Sequence, residues 1–126
     1  MDVPLRIDTV ERDGSLVLAV EGELDIATSP LLDEAIVRAR ATDAARIVID
    51  LDEVSFIDST GLHVLIKHHA EDDRARIHLT KGSPQVRRVF ELTGAFEYLP
   101  FVSEQWSETR RPPISQRSQK PCYLGP

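Results

Sequence analysis

The chain has 126 residues, of which 41% are hydrophobic and 29% are charged, as expected for one soluble, core-forming domain. Its net charge is −6, and the last 23 residues carry four basic against two acidic side chains, so the rest of the chain carries −8. An acidic globular part repels phosphate groups, which argues against direct nucleic-acid binding and favours a partner with a basic face.

The sequence also argues against membrane insertion, secretion and metal binding. Its apolar runs, such as 16–20 and 47–49, fall far short of the roughly 20 residues that cross a bilayer. The first ten residues include three charged side chains and no apolar signal segment, which predicts a cytoplasmic location. Cys122 is a lone thiol, and no Cys/His cluster suggests zinc, so neither metal nor cofactor is expected.

The N-terminal half predicts a hairpin followed by a helix. Alternation over 5–10 indicates a first strand, the 12–15 cluster Arg-Asp-Gly-Ser a turn, and the apolar run 16–20 a second strand covered on both faces. A loop is predicted over 22–26. Ser29-Pro30 then supplies a helix cap and a proline at the first helical position.

The central part predicts a strand, a connection and a helix. Residues 46–51 form a buried strand, and 52–58 form a connection to a helix that opens with Ser-Thr-Gly at 59–61. The helical spacing places four residues on one face: Leu62, Leu65, Ile66 and His69. His63, His68 and His69 lack the i, i+4 spacing of a zinc pair and are predicted to lie at the surface or the helix edge.

The last predicted elements are a short strand over 76–80, a helix from Ser83-Pro84 that stops at Gly94, and an edge strand over 98–102, since Pro100 argues against a central position. Alternating strands and helices predict an α/β domain with a mixed sheet of about four to five strands. This domain spans 1–103. Residues 104–126, rich in Pro, Arg and Ser, are predicted to be a disordered tail.

The most informative segment is the helix start at Asp58-Ser59-Thr60-Gly61. The first N–H groups of a helix lack internal partners and the macrodipole is positive there, so a phosphate is tolerated at that end. Gly61 would let another molecule approach the two hydroxyls closely. The same four residues are also an ordinary capping sequence, and from them alone both interpretations stay open.

Three segments resemble the STAS family, specifically the bacterial anti-sigma factor antagonists. Gly22-Glu23-Leu24-Asp25 matches a family loop, Asp50-Leu51 through Val54–Leu62 resembles the phosphorylation motif, and Leu92-Thr93-Gly94 with Phe96 is similar to the last helix end. The resemblance covers about 5–103. It implies helices mainly on one face of the sheet.

The resemblance also implies a mechanism. The unphosphorylated protein would bind an anti-sigma factor that is itself a serine kinase of the GHKL ATPase type, and this binding would free a sigma factor. The kinase would then phosphorylate the serine that matches Ser59, and a PP2C-type phosphatase would reverse the reaction.

These expectations assign roles to particular residues. Ser59 is the predicted phosphoacceptor and Thr60 the alternative. Asp58 is expected to shape the cap and the local charge, while Glu23 and Asp25 are either partner contacts or solvated loop acids. Gly61 and His63 complete the predicted partner surface, and His63 departs from the small residue that the family often has there.

Two other functions compete with the switch. A STAS domain that is not phosphorylated would serve as a scaffold in a signalling complex; a transporter appendage would need membrane spans. An enzyme is not expected, because the sequence has no GxSxG, GxxxxGK[ST] or GxGxxG motif. His78 lies on a predicted strand, and sequence alone does not exclude it as a partner of Ser59.

Overall fold

The computed structural model describes residues 5–102 and the backbone of Cys122 and Tyr123. The elements, in chain order, are β1 (Leu5–Arg12), β2 (Ser15–Leu24), α1 (Ser29–Arg40), β3 (Arg46–Ile57), α2 (Ser59–Glu71), β4 (Ile77–Leu79), α3 (Pro84–Thr93), a 3-10 turn (Ala95–Glu97) and β5 (Cys122–Tyr123). Within the described residues, no helix combines the length and apolarity needed to cross a membrane.

The strands form one mixed sheet, as predicted, and their order is β4-β3-β2-β1-β5. The β1–β2 hairpin turns at Asp13 and Gly14, whose positive φ angles of 52° and 80° suit the tight turns that match strand twist. β3 pairs in parallel with both β2 and β4, because α1 and α2 provide the crossover connections that parallel strands need. These crossovers place the carboxyl ends of β2 and β3 side by side.

All three helices lie on one face of the sheet, which confirms that expectation. The main core joins helix residues such as Leu32, Leu65 and Phe90 to the sheet residues that point toward the helices. On the other face, Val17 and Val48 form a separate small cluster with Val102. Because side chains alternate along a strand, the two faces keep separate sets of residues.

β2 and β3 are both longer than predicted. The expected loop at 22–26 begins only after Leu24, and the expected connection at 52–58 is β-strand as far as Ile57. The pairing of β2 with β3 continues through Gly22–Val54 and Leu24–Ile57 and includes register shifts. Because this stretch is rich in acidic residues, its sequence is typical of a loop. The ends of β2 and β3 therefore lie next to the candidate residues at the start of α2.

The orientation of α2 also differs from the prediction. Its buried positions are Gly61, Leu62, Val64, Leu65 and His68, whereas Ile66 and His69 are only half-buried. The predicted surface location of His68 was wrong, since its ring is 1% exposed. The helix is rotated because it packs against α1 as well as the sheet, and α1 offers His68 polar partners.

The chain after α3 differs in detail as well. Gly94 ends α3 in the left-handed conformation, as predicted. The predicted edge strand over 98–102 is reduced to a single bridge between Phe101 and Leu79, because the N–H groups of Tyr98 and Leu99 both donate to the carbonyl of Ala95 and are not available to a strand partner. Most of the predicted disordered tail lies outside the described residues, but Cys122 and Tyr123 pair with Ile7 and Arg6 as an edge strand.

Candidate functional site

Asp58 organises the start of α2, which confirms its predicted role as a cap. Its carboxylate accepts hydrogen bonds from the backbone N–H groups of Thr60 at 2.9 Å and Gly61 at 3.3 Å. Its own N–H donates to the carbonyl of Leu24 at 3.1 Å, so the cap is fixed to the end of β2. The hydrogen bond from the Thr60 hydroxyl, supported by these two N–H groups, lowers the pKa of Asp58, which stays ionised at neutral pH.

The two neighbouring hydroxyls have different surroundings. Thr60 is half-buried, and its hydroxyl lies between the carboxylate of Asp58 and the hydroxyl of Ser29, 3.2 Å away. Ser59 is exposed, and Asp58 rather than Ser59 caps the helix. The serine hydroxyl is therefore the one that another molecule can reach without first breaking an internal network.

The loop from Asp25 to Thr28 is built around a second carboxylate. Asp25 accepts hydrogen bonds from the N–H groups of Ala27 and Thr28, both at 3.0 Å, and from the Thr28 hydroxyl at 3.1 Å. The carbonyl of Asp25 accepts from the Ser29 hydroxyl at 2.6 Å, and this hydroxyl contacts Thr60. The loop and the start of α2 thus share one hydrogen-bond network.

This network corrects two details of the sequence prediction. The cap position of α1 is Thr28, and Ser29 is already its first helical residue, with Pro30 behind it. Ser29 links the Asp25 loop to α2 instead of capping its own helix. Thr28 and Ser29 were missed as site residues because the contacts that define their role cross between distant segments of the chain.

Gly61 is buried, and its small size serves a contact inside the domain. A Cβ atom at this position would lie 3.0 Å from both Cβ of Leu24 and Cγ1 of Ile57. Glycine therefore lets the first turn of α2 pack directly on the ends of β2 and β3. This contact gives the residue a role other than the predicted one of admitting a partner.

A Gly61→Ala substitution should destabilise the domain by about 1–3 kcal/mol, because the added methyl group overpacks this contact. The same change at an unhindered helix position would stabilise by up to about 1 kcal/mol. Urea unfolding followed by circular dichroism measures the difference. A variant as stable as the wild-type protein would show that α2 does not need this close approach.

Two exposed apolar side chains flank the candidate residues and were not singled out in the sequence. Ile26 is 77% exposed in the Asp25 loop, and Phe56 is 47% exposed near the end of β3. Phe56 lies opposite the exposed Glu23 in the β2–β3 pairing. His63 is exposed one helical turn after Ser59, on the same side of α2.

A family model described as "STAS domain" matches residues 6–107. The chain belongs to the STAS domain family. The anti-sigma-B factor antagonist of Staphylococcus aureus (strain NCTC 8325 / PS 47) is 33% identical over 93 residues, a stretch that spans 71% of this chain and 85% of that protein.

Solved structures agree with this STAS assignment. The crystal structure of an anti-sigma factor antagonist from Mycobacterium paratuberculosis matches with a TM-score of 0.74 and 28% identity, over 84% of this chain and 92% of that one. The anti-sigma factor antagonist SpoIIAA in its unphosphorylated form matches with a TM-score of 0.63 and 25% identity, over 84% and 94% of the two chains. The mixed sheet with helices on one face is therefore the STAS fold.

Proposed function

We propose that this STAS domain is an anti-sigma factor antagonist that phosphorylation of Ser59 switches off. The observation that carries the proposal is the contrast between Ser59, exposed at the start of α2, and Thr60, whose hydroxyl is held by Asp58 and Ser29. An accessible hydroxyl at the positive end of a helix is a suitable phosphoacceptor. Thr60 is the less accessible alternative.

The surface around Ser59 has the composition of a protein interface. Ile26 and Phe56 supply exposed apolar area, and Glu23, Asp25 and Asp58 supply negative charge. Aromatic and large apolar residues near the centre of an interface commonly provide most of the binding free energy. The complementary face of an anti-sigma factor would offer apolar contacts surrounded by Lys and Arg side chains.

The proposed cycle assigns the chemistry to the partners. A GHKL-type serine kinase, acting also as the anti-sigma factor, would transfer phosphate from its own ATP to Ser59, and a PP2C-type phosphatase would remove it. The STAS domain would bind and be modified without catalysing either step. Because the proposed cycle controls the release of a sigma factor, it would operate in the cytoplasm.

The new phosphate would act through charge. Phosphorylation adds about −1.5 to −2 charge units at pH 7. The adjacent Asp58 is ionised at this pH, as an aspartate ordinarily is, and the hydrogen bond from the Thr60 hydroxyl lowers its pKa further. Like charges brought together at an interface cost several kcal/mol, and about 3 kcal/mol weakens binding more than a hundredfold. The switch therefore needs no large structural change.

The proposal is tested by purifying the protein from its native cells, mapping phosphate by mass spectrometry and identifying the co-purifying proteins. Phosphate on Ser59 together with a GHKL-type kinase is the expected result. Phosphate on Thr60 would move the acceptor by one residue. An unmodified protein under all growth conditions, co-purifying with a large scaffold, would contradict the switch and favour a non-phosphorylated interaction module.

A further inference from the structure

One pair of hydroxyl groups joins the Asp25 loop to the start of α2. The hydroxyl of Ser29 lies 3.2 Å from the hydroxyl of Thr60. Among the hydrogen bonds within residues 5–102, no other links residues 25–29 to residues 58–61. The two side chains are therefore the direct connection between the loop and the helix start that bears Ser59.

The two hydroxyls share a limited number of protons. The Asp58 carboxylate is ionised and can only accept, so Thr60 donates its single hydroxyl proton to Asp58. The oxygen of Thr60 then accepts from Ser29. The Ser29 hydroxyl also lies 2.6 Å from the carbonyl of Asp25, and this carbonyl keeps the N–H of Ser29, at 2.8 Å, when the hydroxyl turns to Thr60. The chain of donors therefore runs from Ser29 through Thr60 to Asp58.

The loop that this chain holds is a small unit with an exposed apolar side chain. Asp25 accepts from the N–H groups of Ala27 and Thr28, both at 3.0 Å, which closes residues 25–28 on themselves. Ser29 bonds the carbonyl of Asp25 through both its N–H and its hydroxyl, so it moves with this unit. Ile26 is the most exposed large hydrophobic residue among those described. The position of Ser29 thus determines where the loop presents Ile26.

We propose that Ser29 and Thr60 are positioning residues, which hold the Asp25 loop and its Ile26 against the helix start so that one partner meets Ile26 and Ser59 together. This role rests on the proposed function, because the loop would serve in binding the anti-sigma factor. Neither hydroxyl needs to touch the partner, since Thr60 is half-buried and Ser29 is 4% exposed. A loop that is ordered before binding loses less conformational entropy in the complex. Thr60 would therefore raise the affinity through the loop and not as a second phosphoacceptor.

Amide hydrogen exchange of the free protein, followed by NMR, tests the positioning without a partner. Thr60→Val replaces the hydroxyl with a methyl group of similar size. The N–H groups of Thr28 and Ser29 should then exchange about ten-fold faster, as expected when one hydrogen bond is lost. The N–H of Val86, which Ser83 caps in α3, should exchange as in the wild-type protein. Thr60→Ser restores the hydroxyl and should bring the rates back toward those of the wild-type protein.

The matched control for Thr60→Val is Thr93→Val. It removes a hydroxyl that donates to the carbonyl of Val89 at 2.7 Å, at the far end of α3. The N–H groups of Thr28 and Ser29 should exchange at wild-type rates in this control. Unchanged exchange at these two positions in Thr60→Val would overturn the proposal. Faster exchange throughout the domain would indicate a general loss of stability and would overturn it as well.

Binding to the co-purifying anti-sigma factor tests whether the loop acts through Ile26. Thr60→Val should weaken binding by about ten-fold, because the loop must then be ordered in the complex. The double variant Thr60→Val/Ile26→Ala should bind about as weakly as Ile26→Ala alone, because the side chain that the loop presents is missing. Effects that multiply in the double variant would show that Thr60 acts independently of Ile26, and this result would overturn the proposal.

The two measurements have different dependence on the phosphorylation switch. The exchange rates belong to the free, unphosphorylated protein and do not depend on whether Ser59 is modified. Faster exchange of Thr28 and Ser29 in Thr60→Val, in a protein that binds no anti-sigma factor, would contradict the proposed function alone. Unchanged exchange in a protein that does bind an anti-sigma factor would overturn the positioning role alone.

Discussion

A Ser59→Asp variant is expected to fold like the wild-type domain and to bind the co-purifying anti-sigma factor at least about a hundredfold more weakly than Ser59→Ala does. The aspartate would add a carboxylate next to Asp58, whose charge is fixed by its hydrogen bonds to Thr60 and Gly61. Because Ser59 is exposed and does not cap α2, the new charge costs little in the free protein. The loss of binding free energy would therefore arise in the complex, where the carboxylates at positions 58 and 59 are removed from water.

Isothermal titration calorimetry of both variants with the same partner measures this difference. Thr9→Asp is the matched control, because it adds one carboxylate at an exposed position in the middle of β1, away from the rim. This control should bind like the wild-type protein. Equal affinities for Ser59→Ala and Ser59→Asp would contradict the electrostatic mechanism, even if Ser59 proved to be phosphorylated.

The local signals in the sequence predicted the start of α3 and the position of Asp58 correctly. Ser83 caps α3 by accepting from the N–H of Val86, and Asp58 caps α2 in the same manner. Each signal depends on contacts within three residues, so a single sequence contains the information needed. The mixed sheet followed from the hairpin and the alternating elements for the same reason.

The features that sequence did not predict depend on contacts between distant segments. The role of Ser29 rests on a hydrogen bond to Thr60, 31 residues away. The exposure of Ile26 and Phe56 depends on the positions of the Asp25 loop and the end of β3 in the folded domain. The sequence does not indicate it, because apolar residues are ordinarily predicted to be buried. His68 was misplaced because a histidine among polar neighbours resembles a surface residue until α1 is packed against it.

Of these residues, His68 is expected to have the largest effect on the free energy of unfolding. Its Nε2 lies 2.6 Å from Oδ1 of Asp33, and its Nδ1 lies 3.0 Å from Nη1 of Arg40. The arginine can only donate, so Nδ1 must accept and the proton must be on Nε2, which donates to Asp33. Lys67 also contacts Asp33 at 2.7 Å, and Glu71 contacts Arg40 at 3.1 Å. The ring is therefore neutral in the folded domain and joins α1 to α2.

The pKa of His68 agrees with this geometry. Burial lowers it from the ordinary value of 6.5, and the opposing attraction of Asp33 does not restore it. The unfolded chain therefore binds more protons than the folded chain once the pH falls below about 6.5, and the folded state loses stability until the pH reaches the lowered pKa of His68 in the folded domain. The hydrogen bond from Lys67 lowers the pKa of Asp33 from 3.8, so this carboxylate stays ionised throughout that window.

The unfolding free energy of the wild-type domain should consequently fall between pH 7 and pH 5, with a slope of up to about 1.4 kcal/mol per pH unit from this one group. His68→Gln keeps a neutral N–H donor but cannot take up the proton, so this variant should lose the slope. It should also be about 1–3 kcal/mol less stable at pH 7.5, because the accepting nitrogen opposite Arg40 and the packing of the ring are lost. Urea unfolding at a series of pH values measures both effects.

The matched control for this change is His78→Gln. It removes a histidine that is half-buried on β4. Nδ1 of His78 lies 3.2 Å from the backbone carbonyl oxygen of Arg76, whereas His68 contacts a carboxylate. The unfolding free energy of His78→Gln should depend on pH in the same way as that of the wild-type protein, because the contact between α1 and α2 is intact. Parallel pH profiles for the wild-type protein and His68→Gln would contradict the neutral-histidine assignment. Loss of the slope in His68→Gln alone would identify the Asp33–His68–Arg40 contact as the part of the domain that acid weakens first.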